Sequence, residues 1–263
     1  MQTFNYHKPD TLEAAVELLR DCDEPSLLAG GHTILPAMKQ RLAAPGDVVD
    51  LAGIPGMSGI ETTADGVRIG AMTCHADVAA SGDVLRAIPA LAALAGGIGD
   101  PQVSYRGTTG GSVANNDPAA DYPAAVLGLD ATIDTDRRRI AADAFFRGMF
   151  ETALAADEII TGLTFPVPDR AAYVKFPNPA SRYAIVGAFI AVRAGGVRVA
   201  ITGAAPCVFR WQAAEAALGE NLAQASLANV ALPADDLNAD LHASAEYRAH
   251  LANVMVARAV AAL

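Results

Sequence analysis

The chain has 263 residues, of which 52% are hydrophobic and 18% charged, and its formal net charge is −10. That length accommodates one large domain or two to three smaller ones with buried cores, while the acidic balance argues against nucleic acid and anionic membrane surfaces as partners. The longest apolar stretches, around 88–98 and 254–263, are broken by Gly or Arg and fall short of the roughly 18–20 residues that a membrane helix requires.

Phe4-Asn5-Tyr6-His7 alternates ahead of Pro9 and reads as a short strand. Asp10 or Thr11 caps a helix running to Arg20, with Leu12, Ala15, Val16 and Leu19 on one face. Ser26-Leu27-Leu28-Ala29 is a buried strand that Gly30-Gly31 ends. A helix follows over about 33–43, with Pro36 tolerated in its first turn, and Val48-Val49-Asp50-Leu51 is the next strand. Residues 1–55 thus form a βαβαβ unit.

Pro55-Gly56 marks a boundary. Beyond it, Ile60-Glu61-Thr62 and 67–71 flank Asp65-Gly66 as a hairpin. Helices are expected over 75–80 and 88–95, a Gly-rich loop over 106–121, and a further strand pair at 131–135 and 139–141. The strand at 159–165 is closed by Pro166. Residues 56–167 therefore read as a second unit with mostly antiparallel strands. From 168 to 263 the pattern is a strand meander (172–176, 185–193, 197–202, 207–210) followed by helices at 212–218, 222–230 and 242–263, an α+β arrangement.

The chemistry concentrates in two glycine loops. Ala29-Gly30-Gly31-His32-Thr33-Ile34 joins a strand to a helix start, where free amides and the helix dipole attract phosphate. Alone it reads first as a plain tight turn between strand and helix. Thr108-Thr109-Gly110-Gly111-Ser112 adds hydroxyls and close backbone approach, and neither loop carries Lys. A neutral cradle of this kind suits a dinucleotide held permanently, with one loop for each side of its pyrophosphate. Asp121 either accepts from sugar hydroxyls or caps the helix near Pro123. His32 and His75 lack partners at metal-ligand spacing. Cys22, Cys74 and Cys207 are far apart, which suits a reducing cytoplasm and cannot hold an iron–sulfur cluster of about four thiolates. No Gly-x-Ser-x-Gly nucleophile elbow occurs. Lys175 and Arg182, on either side of a turn-rich loop, are either solvated or face a bound anion.

Ala29-Gly30-Gly31-His32-Thr33-Ile34-Leu35-Pro36, Val67-Arg68-Ile69-Gly70-Ala71-Met72-Thr73-Cys74-His75-Ala76-Asp77, Arg106-Gly107-Thr108-Thr109-Gly110-Gly111-Ser112 and Asp117-Pro118-Ala119-Ala120-Asp121 resemble, in order and spacing, the FAD-binding medium subunit of molybdenum hydroxylases, the xanthine dehydrogenase and aerobic carbon monoxide dehydrogenase relatives. The resemblance implies an α+β protein of the vanillyl-alcohol-oxidase or PCMH type, with two FAD-binding subdomains and an α+β C-terminal domain. It implies that the two Gly loops cover the FAD pyrophosphate, that Asp121 contacts the sugar part, that Ile160 lies against the isoalloxazine and that Lys175 approaches the flavin. It further implies partner subunits carrying molybdopterin and [2Fe-2S] clusters, with no substrate chemistry on this chain. Ser112 departs from the Asn common at that position, and the spelling of the loops is closest to the carbon-monoxide-dehydrogenase-like branch. A stand-alone FAD oxidoreductase of the same fold is the alternative, and a scaffold that has lost FAD is a third reading.

Overall fold

The computed structural model describes all 263 residues. Strands β1 (Asn5–His7), β2 (Pro25–Leu28) and β3 (Asp47–Asp50) form a parallel sheet in the order β1-β3-β2. Helices α1 (Leu12–Asp21) and α2 (Ile34–Lys39) make the crossovers. Of the two caps expected for α1, Thr11 is the one used, its hydroxyl accepting from the Ala14 N–H at 3.2 Å. Ala15, Val16 and Leu19 are buried, as their helical spacing requires. Helix α2 is shorter than expected. It stops at Lys39, and Arg41 then takes a left-handed φ of 62°.

The hairpin expected at Asp65-Gly66 is present as β4 (Ile60–Thr63) and β5 (Gly66–Gly70). Helices α3 (His75–Ala80), α4 (Gly82–Ala87), α5 (Pro89–Gly96) and α6 (Pro101–Ser104) follow. The Gly-rich stretch is not a loop throughout. Residues Thr109–Asn115 form a helix, α7, whose intrinsic propensity is poor because of Gly110 and Gly111. Tertiary bonds replace that deficit. Its first two amides, on Thr109 and Gly110, donate to the carbonyls of Thr73 (3.0 Å) and Ala71 (2.8 Å), and the Thr108 hydroxyl accepts from the Gly111 N–H. Helix α8 (Tyr122–Gly128) is wholly buried. Strands β6 (Thr132–Thr135), β7 (Arg139–Ala141) and β10 (Ile160–Phe165) complete a five-stranded antiparallel sheet, β4-β5-β10-β6-β7, and β8 (Phe146–Gly148) with β9 (Glu151–Thr152) form a small hairpin the sequence did not announce.

The last sheet is the expected meander, β11 (Arg170–Pro177), β12 (Ala184–Arg193), β13 (Gly196–Thr202) and β14 (Phe209–Arg210), antiparallel in chain order. Helix α9 (Gln212–Glu220) packs on β13, and α10 (Ala245–Ala261) packs on β11 and β12. The helix expected over 222–230 shrinks to one 3-10 turn, Gln224–Leu227, and α10 begins at Ala245 rather than 242, where Ser244 caps the Tyr247 N–H. The other face of this sheet is covered by α8. Gly128 there lies so close to the Phe189 ring that a Cβ would meet it at 2.8 Å. Strand β12 therefore feeds two cores: Phe189 and Ala191 join the large core of the first two sheets, while Ala188 and Ile190 join the core under α10. No helix is long and apolar enough to cross a membrane.

Buried Arg248 of α10 locks this half. Its guanidinium donates to the carbonyls of Ile185 (2.6 Å) and Gly203 (2.8 Å) and to Asp240 (2.7 Å). Replacing it by Leu strands two buried carbonyls and one carboxylate, so Arg248→Leu is expected to lower unfolding stability by roughly 2–4 kcal/mol, read as a shift of the urea midpoint.

Candidate functional site: a cleft between two glycine loops

The parallel sheet ends at Leu28, and the chain crosses the strand ends through Ala29–Thr33 before entering α2. Gly31 has φ +77°, a left-handed value that suits only glycine here. The amides of Gly30, Gly31, His32, Thr33 and Ile34 donate to no acceptor within the protein. Five adjacent unbonded N–H groups at the C-terminal edge of a parallel unit form a concave donor surface for an anion.

The second loop reaches this one through missing side chains. A Cβ on Gly30 would lie 2.1 Å from the Arg106 carbonyl oxygen, and one on Gly110 would lie 2.5 Å from the Ala71 Cβ. On Gly107 it would meet the His75 imidazole at 2.7 Å. These glycines let two loops and the end of β5 close on one another. The amides of the second loop differ from expectation. Those of Thr109, Gly110, Gly111 and Ser112 all donate inside the protein, to Thr73, Ala71, the Thr108 hydroxyl and the Thr108 carbonyl. What this loop leaves without a protein partner is the Thr108 N–H, the Ser112 hydroxyl and the Asn115 side-chain amide. Thr108 spends its hydroxyl on the helix cap, and Thr109 is fully buried behind the wall.

Together the loops wall a cleft of about 1100 Å³, the upper end of the range for small-molecule and cofactor sites. All the sequence candidates line it except Thr109 and Lys175. Ile160 opens β10 on the far side, buried and apolar. Residues that the sequence did not single out also line it: Asn115, Asp117, Phe150, Thr152, Glu158 and Tyr183. The β8–β9 hairpin supplies Phe150 and Thr152. Buried Asn116 ties that hairpin down by donating to the carbonyls of Gly148 and Glu151, each at 2.8 Å. The second of two adjacent Asn residues at the end of a Gly-rich run gave no sign of this.

Asp121 resolves into neither of its two sequence readings alone. It sits at the start of α8 but makes no capping bond. Its buried carboxylate takes the Tyr173 hydroxyl and, at 2.9 Å, the Lys175 ammonium, which also donates to the Gly97 carbonyl at 2.9 Å. Burial raises the Asp121 pKa, while Lys175 and the Tyr173 hydroxyl oppose the rise. Lys175 therefore reaches the cleft only through Asp121. Glu158 is similarly held by Arg138 at 2.6 Å. His75 is buried beside Tyr122, with ring centroids 5.2 Å apart, and its Nδ1 has no partner. Burial, with a further push from His32, depresses its pKa to about 4, so the imidazole is neutral at pH 7.

A parallel βαβαβ unit and a five-stranded antiparallel unit thus enclose the cleft between them. Comparisons give the family. Residues 2–168 match the FAD binding domain in molybdopterin dehydrogenase, and residues 171–263 match the CO dehydrogenase flavoprotein C-terminal domain. The nicotine 6-hydroxylase medium subunit of Paenarthrobacter nicotinovorans is 34% identical, covering 99% of this chain and 97% of that one. The carbon monoxide dehydrogenase medium chain of Hydrogenophaga pseudoflava is 35% identical, covering 98% and 96%. Among solved structures, reconstituted CO dehydrogenase from Oligotropha carboxidovorans superposes with a TM-score of 0.91 at 31% identity, covering 99% of this chain and 97% of that one. The chain belongs to the family of FAD-binding medium subunits of molybdenum hydroxylases, with the two-subdomain FAD-binding fold and an α+β C-terminal domain.

The buried neutral His75 sets a pH dependence. Its pKa is lower folded (about 4) than unfolded (6.5), so the unfolded chain takes up the proton first as pH falls. Stability is then lost between pH 6.5 and 4, by about 3 kcal/mol at most. In the FAD-free chain, the difference in unfolding free energy between wild type and His75→Gln is expected to narrow across that window. A difference that stays flat from pH 7 to 4 contradicts the assignment.

Proposed function

We propose that this cleft holds one FAD and that the chain carries electrons between partner subunits and an external acceptor. The observation that carries this reading is the row of unbonded amides from Gly30 to Ile34, facing a wall whose glycines are packed too closely to accept any side chain. FAD supplies the chemistry when bound, because it accepts and releases electrons singly or in pairs. The protein's contribution is position and environment.

The amides of Gly30, Gly31, His32, Thr33 and Ile34 would donate to the pyrophosphate, with the Thr33 and Ser112 hydroxyls beside them. Hydrogen bonding to an anionic oxygen is roughly twice as strong as between neutral groups, so no lysine is needed to hold the diphosphate. Asp121 would accept from the sugar hydroxyls: a carboxylate has about four acceptor positions, and Tyr173 and Lys175 leave some of them open. Lys175 keeps that carboxylate charged and fixed. Ile160 would present an apolar surface to the isoalloxazine. Thr108, Gly110 and Gly111 shape the wall, and Thr109 supports it from behind.

The partners in this reading are a molybdopterin-binding large subunit and a small subunit with [2Fe-2S] clusters. The medium subunit performs no substrate oxidation by itself, and electrons leave to NAD, a quinone or oxygen. Of the carboxylates on the cleft wall, Asp121 and Glu158 are tied up by Lys175 and Arg138, and Asp117 accepts from the Ala119 N–H at 2.9 Å; nothing favours a stand-alone oxidoreductase. Three free cysteines suit a reducing compartment such as the cytoplasm.

Ser112 is the cleanest test position, since a Cβ on Gly111 would crowd the Thr108 hydroxyl at 2.8 Å. Ser112→Glu places a carboxylate where phosphate is expected. FAD affinity should fall at least tenfold with an unchanged far-ultraviolet circular dichroism spectrum. Full FAD retention in this variant rules out the assignment.

A further inference from the structure

We propose a divalent-metal site, of zinc type, formed by His7, Cys22 and Asp47 at the opposite end of the parallel sheet from the cleft. The three ligand atoms, His7 Nε2, Cys22 Sγ and Asp47 Oδ1, all lie within 4.8 Å of one another. Three separate segments contribute: β1, the residue that ends α1, and the first residue of β3. The pairing of β1 with β3 sets Asn5 opposite Asp47, which puts His7 on the same face two residues on. The turn after α1 is drawn against Gly46, where a Cβ would sit 2.9 Å from the Asp23 carbonyl. That closure delivers Cys22 to the pair.

Two features distinguish this from a catalytic Cys-His-Asp relay. Asp47 and Cys22 both address the same imidazole nitrogen, Nε2, at 2.7 and 3.9 Å. A relay needs the two on opposite ring nitrogens, whereas a metal needs its ligands converging on one point. Zinc bonds of about 2.0 Å to N and O and 2.3 Å to S, in tetrahedral geometry, separate ligand atoms by about 3.3–3.6 Å. The His7–Asp47 contact opens by about 0.6 Å and the Cys22–His7 contact closes by about 0.3 Å, both within ordinary side-chain adjustment for such a site.

The charge also fits. Thiolate, carboxylate and neutral imidazole supply two negative charges to a divalent ion, and the thiol proton is released on binding. The turn itself is Asp21-Cys22-Asp23-Glu24, and Asp47 forms an ion pair with no Lys or Arg. His7 and Cys22 are partly exposed, so a fourth position is open to water and the ion has a path in.

The test is zinc content of the purified FAD-loaded chain after dialysis against micromolar zinc, followed by X-ray absorption. Wild type should retain one zinc per chain with one sulfur ligand, and replacing zinc with cobalt(II) should give a thiolate charge-transfer band. Cys22→Ser and His7→Gln should each lower retention at least tenfold while FAD content is unchanged. Less than about a tenth of an equivalent in wild type, or retention in both variants equal to that of wild type, overturns the proposal.

Discussion

The contact on which this structure depends is between the Gly30 α-carbon and the Arg106 carbonyl, where no side chain fits. It brings the edge of a parallel unit against the start of a helix built seventy-odd residues later. Three further close approaches, at Gly107, Gly110 and Gly111, extend that seam along the second loop. The glycines that look from sequence like phosphate ligands therefore divide their labour. The first loop keeps its amides free, while the second spends those from Thr109 to Ser112 on holding position. One loop presents donors and the other sets the distance. A packed seam of this kind resists small displacement, because the space each missing side chain would take is already filled by a neighbour's atoms.

One polar cluster that joins the third sheet to the cleft centres on Asp121. Tyr173 and Lys175 on β11 both reach Asp121 at the start of α8, and Lys175 continues to the carbonyl of Gly97 at the end of α5. Burial makes a charged Asp121 costly without that lysine. Relatives bearing names as different as nicotine 6-hydroxylase and carbon monoxide dehydrogenase share this architecture over nearly the whole chain.

Much of this was legible in the residues. Period-2 and period-3.6 patterns located nearly every strand and most helices, because burial enforces them. Both glycine loops were visible as Gly-Gly pairs set beside short hydroxyl residues. What was hidden lay in tertiary compensation. Helix α7 forms against its own propensity because Ala71 and Thr73 accept its first amides. Residues 222–230 carry an apolar pattern yet make only one turn, with Gln224 bonded across to Ala257 of α10. The partners of Asp121 are 52 and 54 residues away and follow from no local rule. The grouping of His7, Cys22 and Asp47 was equally out of reach, since it arises from strand register.

Strand β12 has a consequence for how the molecule comes apart. Its alternate side chains sit in different hydrophobic cores, and α8 covers one face of its sheet while α10 covers the other. Sequence families divide the chain between residues 168 and 171, yet the apolar interior runs straight through that division. Cutting there would expose α8, a helix with no polar face to offer water. Inheritance treats the two parts as modules, whereas solvent sees them as one cooperative body.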